Sequence, residues 1–255
     1  MIPKIIHFCW LSGDPYPANI ERCIESWKLK LPDYEFMLWN LERSDINSSV
    51  WLQESFAHKK YAFAADYIRF YALYHYGGIY LDSDVEVLKN FDDLLHLPYF
   101  IGFDSHNSLE AAVLGCTKGN PWIKMCLDYY DHRHFLLPDG RLDTKPLPGI
   151  MKGIIEKKYS IVPLENSSPL YVLDENLYVH SYMFFSPKRH DTGNISLKHY
   201  TYTIHHYAMS WIPLKYRLIV KIKRVFMLIL GVNFVDSLIE ILYLRKIKDN
   251  IISKK

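Results

Sequence analysis

The stretch that organises the chain is ADYIRFYALYHYGGIYLDSD, residues 65–84. Its first part belongs to a segment, from about Ala57 to Tyr76, that has the length and period of a helix. Gly77-Gly78 is predicted to end this helix, because glycine is favoured at helix C-termini. A short apolar strand, Ile79 to Leu81, then leads directly into Asp82-Ser83-Asp84. The stretch therefore predicts a helix, a tight reversal, and a strand with two carboxylates at its end.

Asp82 and Asp84 are two positions apart, so in strand geometry their side chains share a face. Two carboxylates at the end of a strand can reach one ion, and such hard oxygen ligands suit Mg²⁺ or Mn²⁺. The same pattern also occurs in polar loops, but its position after an apolar strand and a Gly-Gly helix stop favours metal binding. Asp66 and Arg69 share a helix face. They could form a surface salt bridge, or both could bind the same ligand.

The N-terminal segment predicts a parallel sheet. Residues 5–10 have the pattern of a buried strand, residues 20–29 of a helix and residues 34–39 of a second strand. A strand–helix–strand unit of this spacing favours parallel pairing, with ligands at the carboxyl ends of the strands. Further strands are predicted at 99–103, 111–115, 160–163 and 200–205, and a loop at 138–149.

A second polar stretch, residues 205–211, has the sequence HHYAMSW. A neutral imidazole of His205 or His206 can complete the coordination of an ion. The hydroxyl of Ser210 and the indole N–H of Trp211 can donate to phosphate oxygens. A structural strand end with a packed Trp explains the stretch equally well. No GxSxG nucleophile elbow and no GxxxxGK[ST] phosphate loop occurs in the chain.

Composition excludes several classes of protein. The 255 residues carry a formal charge of +2 and are 49% hydrophobic, which excludes a strongly basic nucleic-acid-binding protein and a disordered chain. The four cysteines form no CxxC pair, so a zinc cage is not expected, and we interpret them as reduced thiols of a cytosolic protein. The N-terminus lacks the long apolar stretch of a signal peptide.

The C-terminal segment differs in charge from the rest of the chain. From residue 211 onward there are ten basic and three acidic residues, a net charge of +7, whereas the preceding part has a net charge of −5. Leu218, Ile222, Val225 and Ile229 recur at helical spacing with basic residues opposite. We therefore predict a domain at 1–212 and a basic amphipathic helical tail at 213–255 that binds an anionic membrane surface. Packing of these helices on the domain or in a dimer is the alternative.

Three segments together resemble the DxD-containing sugar transferases of glycosyltransferase family 32. They are Ile2 to Trp10, Asp66 to Asp84, and His205 to Trp211. The family includes yeast-type initiating mannosyltransferases and bacterial capsular-polysaccharide transferases. The resemblance implies an α/β chain with the GT-A fold, in which a Rossmann-like nucleotide-binding sheet merges with an acceptor-binding half. It also implies a nucleotide-sugar donor, a divalent ion, Mn²⁺ or Mg²⁺, and transfer with retention of configuration.

The resemblance also implies roles for individual residues. Trp10 would stack on the nucleotide base, and Tyr80 would lie beside the nucleotide. The catalytic group comprises Asp82, Asp84, Asp66 and Arg69, of which Asp66 and Arg69 would contact the donor. Asp82 and Asp84, with His205 or His206, would hold the metal, and Ser210 and Trp211 would contact the diphosphate.

The acceptor half is less well matched than the donor half. Ala65 stands where the family often has Ser, and Thr144 to Gly149 does not fit the Thr-Gly-Pro segment that is common there. No carboxylate nucleophile is evident. Glu110 is one conceivable nucleophile, although a surface loop residue is the more ordinary interpretation.

The sequence is consistent with three functions. They are a metal-dependent glycosyltransferase, a metal-dependent phosphoesterase, and a non-catalytic carbohydrate-binding protein. For the first, the expected partners are a nucleotide-sugar and a saccharide or lipid-linked acceptor. Homo-oligomerisation is possible, and nucleic acid is not an expected partner. The expected location is cytoplasmic, peripheral to the inner face of the membrane, in surface polysaccharide or glycan synthesis.

Overall fold

The computed structural model describes residues 1–164, 175–208 and 214–241. The described strands are β1 (Ile5–Cys9), β2 (Glu35–Trp39), β3 (Gly78–Leu81), β4 (Val85–Val87), β5 (Tyr99–Phe103), β6 (Leu109–Cys116), β7 (Ser160–Pro163), β8 (Asn176–Val179) and β9 (Thr203–His205). The described helices are α1 (Ala18–Lys30), α2 (Val50–Ala57), α3 (Tyr61–Tyr76), α4 (Pro121–Asp128), α5 (Leu147–Ile155), α6 (Tyr182–Phe185), α7 (Leu214–Leu230) and α8 (Val232–Ile241).

A five-stranded mixed sheet in the order β2-β1-β3-β6-β5 forms the centre of the molecule. β1 pairs in parallel with both β2 and β3, so the predicted strand–helix–strand unit is confirmed. β6 pairs antiparallel with β3 and with β5. The α/β class predicted from the sequence is confirmed. The parallel half meets the antiparallel half at β3, the strand that ends in the two aspartates.

The core forms because the predicted apolar faces meet around this sheet. Ile20, Cys23 and Trp27 of α1 are buried, and the indole N–H of Trp27 donates to the carbonyl of Val85 at 2.6 Å. All eight residues of β6 are buried, which fits a strand covered on both faces. This packing fixes the end of β3 against the rest of the domain.

The helix predicted over residues 57–76 starts four residues later in the structure and runs unbroken to Tyr76 as α3. α2 ends at Ala57 and α3 begins at Tyr61, with Lys59 between them at a φ of +54°. The residues between the two helices, 58–60, are His-Lys-Lys, and α2 was not predicted. The predicted loop at 138–149 ends earlier than expected, because α5 starts at Leu147 with Pro148 in its first turn. β4 and α4 were not predicted.

The tail contains two helices where amphipathic segments were predicted. Leu218, Ile222, Val225 and Ile229 of α7 are exposed, whereas Met227 is buried. The Nε–H of Arg224 donates to the carbonyl of His190 at 3.2 Å, so α7 contacts the domain through its basic side. Within the described part of the chain, no helix combines the length and apolarity needed to cross a membrane.

Candidate active site

The turn after β3 brings three side chains with metal-ligating atoms together. Asp82, Ser83 and Asp84 connect β3 to β4, and β4 pairs antiparallel with β9, with Val85 opposite His205. Ligand atoms of Asp82, Asp84 and His205 all lie within 4.8 Å of one another. The Nε2 atom of His205 is 3.4 Å from Oδ1 of Asp84. Strand pairing thus places an imidazole beside two carboxylates that are far from it in the sequence.

Arg69 joins α3 to this cluster. Its Nη2 atom lies 2.9 Å from Oδ1 of Asp82 and 3.5 Å from Oδ1 of Asp66. Its Nη1 atom donates to the carbonyl of Ala111 on β6. Both Arg69 and Asp66 are buried. The pair is therefore not a surface salt bridge, and its main visible effect is to fix the orientation of Asp82.

Tyr80 lies underneath Arg69 and not on the open side of the site. The Arg69 guanidinium is 4.4 Å from the centre of the Tyr80 ring, and Tyr80 is only 1% exposed. The structure thus buries the Tyr80 ring against Arg69, and its position beside the nucleotide stays a prediction. Side chains alternate along β3, so the ring of Tyr80 points into the packed layer between β3 and α3. Its contact supports Arg69 by a cation–π interaction.

The two candidate histidines separate in the structure. His205 faces Asp84, whereas Nε2 of His206 lies 2.8 Å from Oε2 of Glu86. The backbone N–H of His206 donates to the Asp84 carbonyl at 3.0 Å. His206 therefore contributes its backbone to the site, and the structure places its ring outside the three-residue cluster.

Trp10 directly follows the carboxyl end of β1. It is half-buried, its indole N–H donates to the carbonyl of Asp14 at 2.7 Å, and its ring contacts Tyr16 edge-on at 4.9 Å. This contact leaves Trp10 partly accessible at the carboxyl end of β1. Ser210 and Trp211, predicted to contact the diphosphate, lie outside the described residues.

Glu110 was considered in the sequence only as a conceivable nucleophile, and its position beside His205 was not predicted. It belongs to β6, is only 5% exposed, and its Oε2 atom lies 3.2 Å from Nδ1 of His205. The interpretation of Glu110 as a surface loop residue is therefore wrong. Its position in an otherwise apolar run, Leu109 to Cys116, is the signal that could have identified it. A charged residue inside a buried strand needs partners, and here the partner is the imidazole.

The electrostatics follow from packing several carboxylates around two cations. Burial lowers the pKa of His205, but Asp84 and Glu110 outweigh that effect and hold it well above its usual range. Burial raises the pKa of Asp84, yet the charge of His205 and hydrogen bonds lower it to about 2. The pKa of Glu110 is also about 2, because His205 and hydrogen bonds again outweigh burial. By contrast, burial raises the pKa of Asp66 to about 7, against the attraction of Arg69.

The donor set fits a divalent cation. Two carboxylates and one imidazole are ligand types that Mn²⁺ accepts, and Mg²⁺ takes the carboxylates. The buried acidic groups outnumber Arg69. A bound cation would balance the negative charge that remains. The raised pKa of His205 favours its imidazolium form, which carries part of the balancing positive charge.

The chain is similar in sequence to known glycosyltransferases. Residues 17–101 match the family described as glycosyltransferase sugar-binding region containing DXD motif. The chain is 35% identical over 129 residues to inositol phosphoceramide mannosyltransferase 3 of Schizosaccharomyces pombe, covering 48% of this chain and 35% of that protein. It is 28% identical over 198 residues to a mannosyl phosphorylinositol ceramide synthase of Saccharomyces cerevisiae, covering 73% and 50%.

The chain thus spans half or less of the length of these two curated relatives. A solved structure, the PaToxG glycosyltransferase, aligns with 23% identity and a TM-score of 0.41 over 50% of this chain and 58% of that chain. The matched region contains Asp82-Ser83-Asp84, and the second alignment extends well beyond that region. The resemblance seen in the sequence is confirmed, because residues 17–101 match the glycosyltransferase family whose sugar-binding region contains the DXD motif.

Proposed function

We propose that the protein is a metal-dependent glycosyltransferase that moves a sugar from a nucleotide-sugar to a saccharide or lipid-linked acceptor. The observation that carries this proposal is the cluster of Asp82, Asp84 and His205 within the family's DXD region. Retention of anomeric configuration and a role in surface polysaccharide or glycan synthesis follow from the family resemblance.

The chemistry explains why these residues are needed together. Breaking a glycosyl–phosphate bond leaves negative charge on the departing diphosphate, and a bound divalent ion supplies stabilisation for that charge. Asp82 and Asp84 would hold the ion through carboxylate oxygens, and His205 through a ring nitrogen. Arg69 keeps Asp82 oriented, so the site is organised before the donor binds. The position of Trp10 at the carboxyl end of β1 supports stacking on the nucleotide base.

The first donor to test is a nucleotide-activated mannose. Both curated relatives described above are named for mannosyl transfer or for a mannosylated product. Their names also include inositol phosphoceramide and phosphorylinositol ceramide, so a lipid-linked acceptor is the corresponding first choice for this chain. Because the chain spans only part of each relative, both choices are proposals about donor and acceptor class.

For the tail, we propose peripheral binding to an anionic membrane at its cytoplasmic face. The exposed apolar residues of α7, together with the net charge of +7, support this role. The same exposed apolar residues would also suit homo-oligomerisation. A vesicle-binding experiment must therefore distinguish self-association from membrane binding.

The test of the catalytic proposal uses the full chain with a panel of nucleotide-sugars, in Mn²⁺ or in excess EDTA. We expect release of a nucleoside diphosphate from one donor, stimulated by Mn²⁺ and abolished by EDTA. Release of a nucleoside monophosphate together with a sugar phosphate would indicate a phosphoesterase instead. Sugar binding without turnover of any donor would favour a non-catalytic carbohydrate-binding protein.

A further inference from the structure

We propose that Glu110 is a positioning residue that orients His205 toward the metal ion. This inference rests on the proposed metal-dependent function and adds a residue that neither the DXD motif nor the family resemblance includes. The His205 imidazole lies between two carboxylates, and further contacts hold the Glu110 carboxylate in place.

The ring of His205 has a different partner on each nitrogen. Nδ1 lies 3.2 Å from Oε2 of Glu110, and Nε2 lies 3.4 Å from Oδ1 of Asp84. An ionised carboxylate can only accept a hydrogen bond, so Nδ1 must donate to Glu110. With Nδ1 occupied in this way, Nε2 is the nitrogen left to face Asp82 and Asp84. Metal-ligating histidines are commonly held in this manner, with the outer nitrogen bonded to a carboxylate.

Glu110 is itself held in place by neighbours on three segments. The backbone N–H of Ala112 donates to Oε1 at 2.9 Å, and the Ser186 hydroxyl donates to Oε2 at 2.7 Å. The Tyr207 hydroxyl is 3.3 Å from Oε2, and its ring lies 4.1 Å from that of His205. A carboxylate with both oxygens bonded, on a buried strand, cannot rotate freely. It can therefore transmit a fixed orientation to the imidazole.

The same contacts argue against other roles for Glu110. Among the described residues, the group able to share one ion comprises Asp82, Asp84 and His205, without Glu110. A nucleophile needs an oxygen that reaches the reacting carbon of the sugar, whereas both oxygens of Glu110 are engaged and the residue is only 5% exposed. Its geometry thus suits orientation of a neighbour better than attack on a substrate.

The test measures Mn²⁺ affinity of the full chain by the electron paramagnetic resonance signal of free Mn²⁺, without any sugar donor. The variants form a double-mutant cycle of Glu110→Gln, His205→Ala and the combination. We expect Glu110→Gln to weaken Mn²⁺ binding about ten- to hundredfold, the usual effect of losing an outer carboxylate. In the His205→Ala background, the same change should weaken binding less than about threefold, because the ring that it orients is gone.

Equal losses in both backgrounds would overturn the proposal, since Glu110 would then act on the fold or on the charge of the site and not through His205. Binding within twofold of wild type in Glu110→Gln would also overturn it. If Glu110→Gln fails to fold, Ser186→Ala serves in the same cycle, because it removes one bond to Glu110 and keeps the carboxylate. A wild-type chain that binds no Mn²⁺ would overturn the metal site as well, whereas normal wild-type binding with unaffected variants would overturn this inference alone.

Discussion

Asp82 and Asp84 are chemically identical and two positions apart, yet their pKa values shift in opposite directions. Burial raises the pKa of Asp82, and this outweighs the attraction of Arg69 and His205. The Asp84 side chain is even less exposed, 14% against 29% for Asp82, but His205 and the backbone N–H of Ala208 together lower its pKa. The Ala208 N–H donates to Oδ2 of Asp84 at 2.6 Å. The pKa values of the two carboxylates therefore differ because of their neighbours, which favour the ionised form at Asp84.

A first prediction concerns Asp84→Ala. We expect at least a hundredfold loss of Mn²⁺-stimulated donor turnover, because one of two carboxylate ligands is removed from the ion. Asp33→Ala is the matched control, since Asp33 is exposed and far from the cluster in the sequence. The measurement is nucleoside diphosphate release at saturating Mn²⁺. Near-normal turnover in a folded Asp84→Ala protein would show that Asp84 does not hold the ion.

A second prediction concerns Asp66 and pH. Its pKa is raised from 3.8 to about 7, chiefly by burial, so unfolding releases a proton from Asp66 between about pH 4 and 7. The contribution of Asp66 to stability is therefore fully present below pH 4 and is lost as the pH rises through 7. Release of one proton on unfolding changes the free energy of unfolding by at most about 1.4 kcal/mol per pH unit.

The Asp66→Asn variant has no titratable carboxyl group at this position. Comparing it with wild type therefore isolates the contribution of Asp66 to the pH dependence of stability. In EDTA, the free energy of unfolding of wild type minus that of Asp66→Asn should fall as pH rises from 4 to 7, and then level off. Urea denaturation at several pH values measures this difference. A difference that stays constant across the range would mean that Asp66 is ionised in the fold at pH 4.

At the scale of elements, the reversal between α3 and β3 depends on two glycines with left-handed backbone. Gly77 has a φ of +68° and Gly78 a φ of +102°. A Cβ atom on Gly78 would lie 2.7 Å from the carbonyl oxygen of Ile5 on β1. The reversal therefore allows β3 to approach β1 closely, and this parallel pairing delivers Asp82 to the edge of the sheet.

A third prediction follows for Gly78→Ala. Its backbone conformation alone costs an alanine roughly 1–3 kcal/mol, and the clash with a backbone atom of β1 adds to that. Gly140→Ala is the matched control, because Gly140 has a φ of +80° but no atom within 4 Å of its Cβ position. In urea denaturation, Gly78→Ala should be the more destabilised of the two. Equal losses would mean that close approach of the strands contributes nothing.

At the scale of the whole molecule, charge and apolar surface are unevenly distributed. The part before residue 211 has a net charge of −5, and the tail has a net charge of +7. α7 contacts the domain through Arg224, while Ile222 and Ile229 remain 49% and 73% exposed. A surface that combines positive charge with an unburied apolar stripe suits an anionic bilayer, where each basic residue contributes about 1 kcal/mol.

The fourth prediction uses Ile222→Ser with Ile229→Ser, which leaves the charge unchanged. We expect binding to vesicles containing anionic lipid to weaken at least tenfold, because the apolar contribution of two large side chains is lost. Leu29→Ser is the matched control, since Leu29 is 74% exposed on α1 in the acidic part. Flotation measures binding, and the remaining affinity should decrease with salt. Wild type that stays unbound but sediments as a dimer would assign the stripe to self-association.

Local patterns in the sequence were enough to predict much of the fold. The apolar runs at β1, β2 and β3, the period of α1 and the Gly-Gly stop are all properties of neighbouring residues, and their geometry depends on local backbone preferences. The DXD pair after β3 was predictable for the same reason. Helix α2 and the start of α3 were not predicted, since the predicted helix was placed to begin at about Ala57 and α3 begins at Tyr61.

The assembly of the site depends on contacts between distant residues, which no local pattern specifies. His205 and Glu110 are 95 positions apart, and the antiparallel pairing of β4 with β9 selects His205 over His206 as the neighbour of Asp84. Arg69 is withdrawn from the surface because α3 packs against β3 and β6, where the Ala111 carbonyl and Asp82 receive its guanidinium. Spacing in the sequence can nominate residues for such a site, but burial and strand register determine which of them meet and in what state of charge.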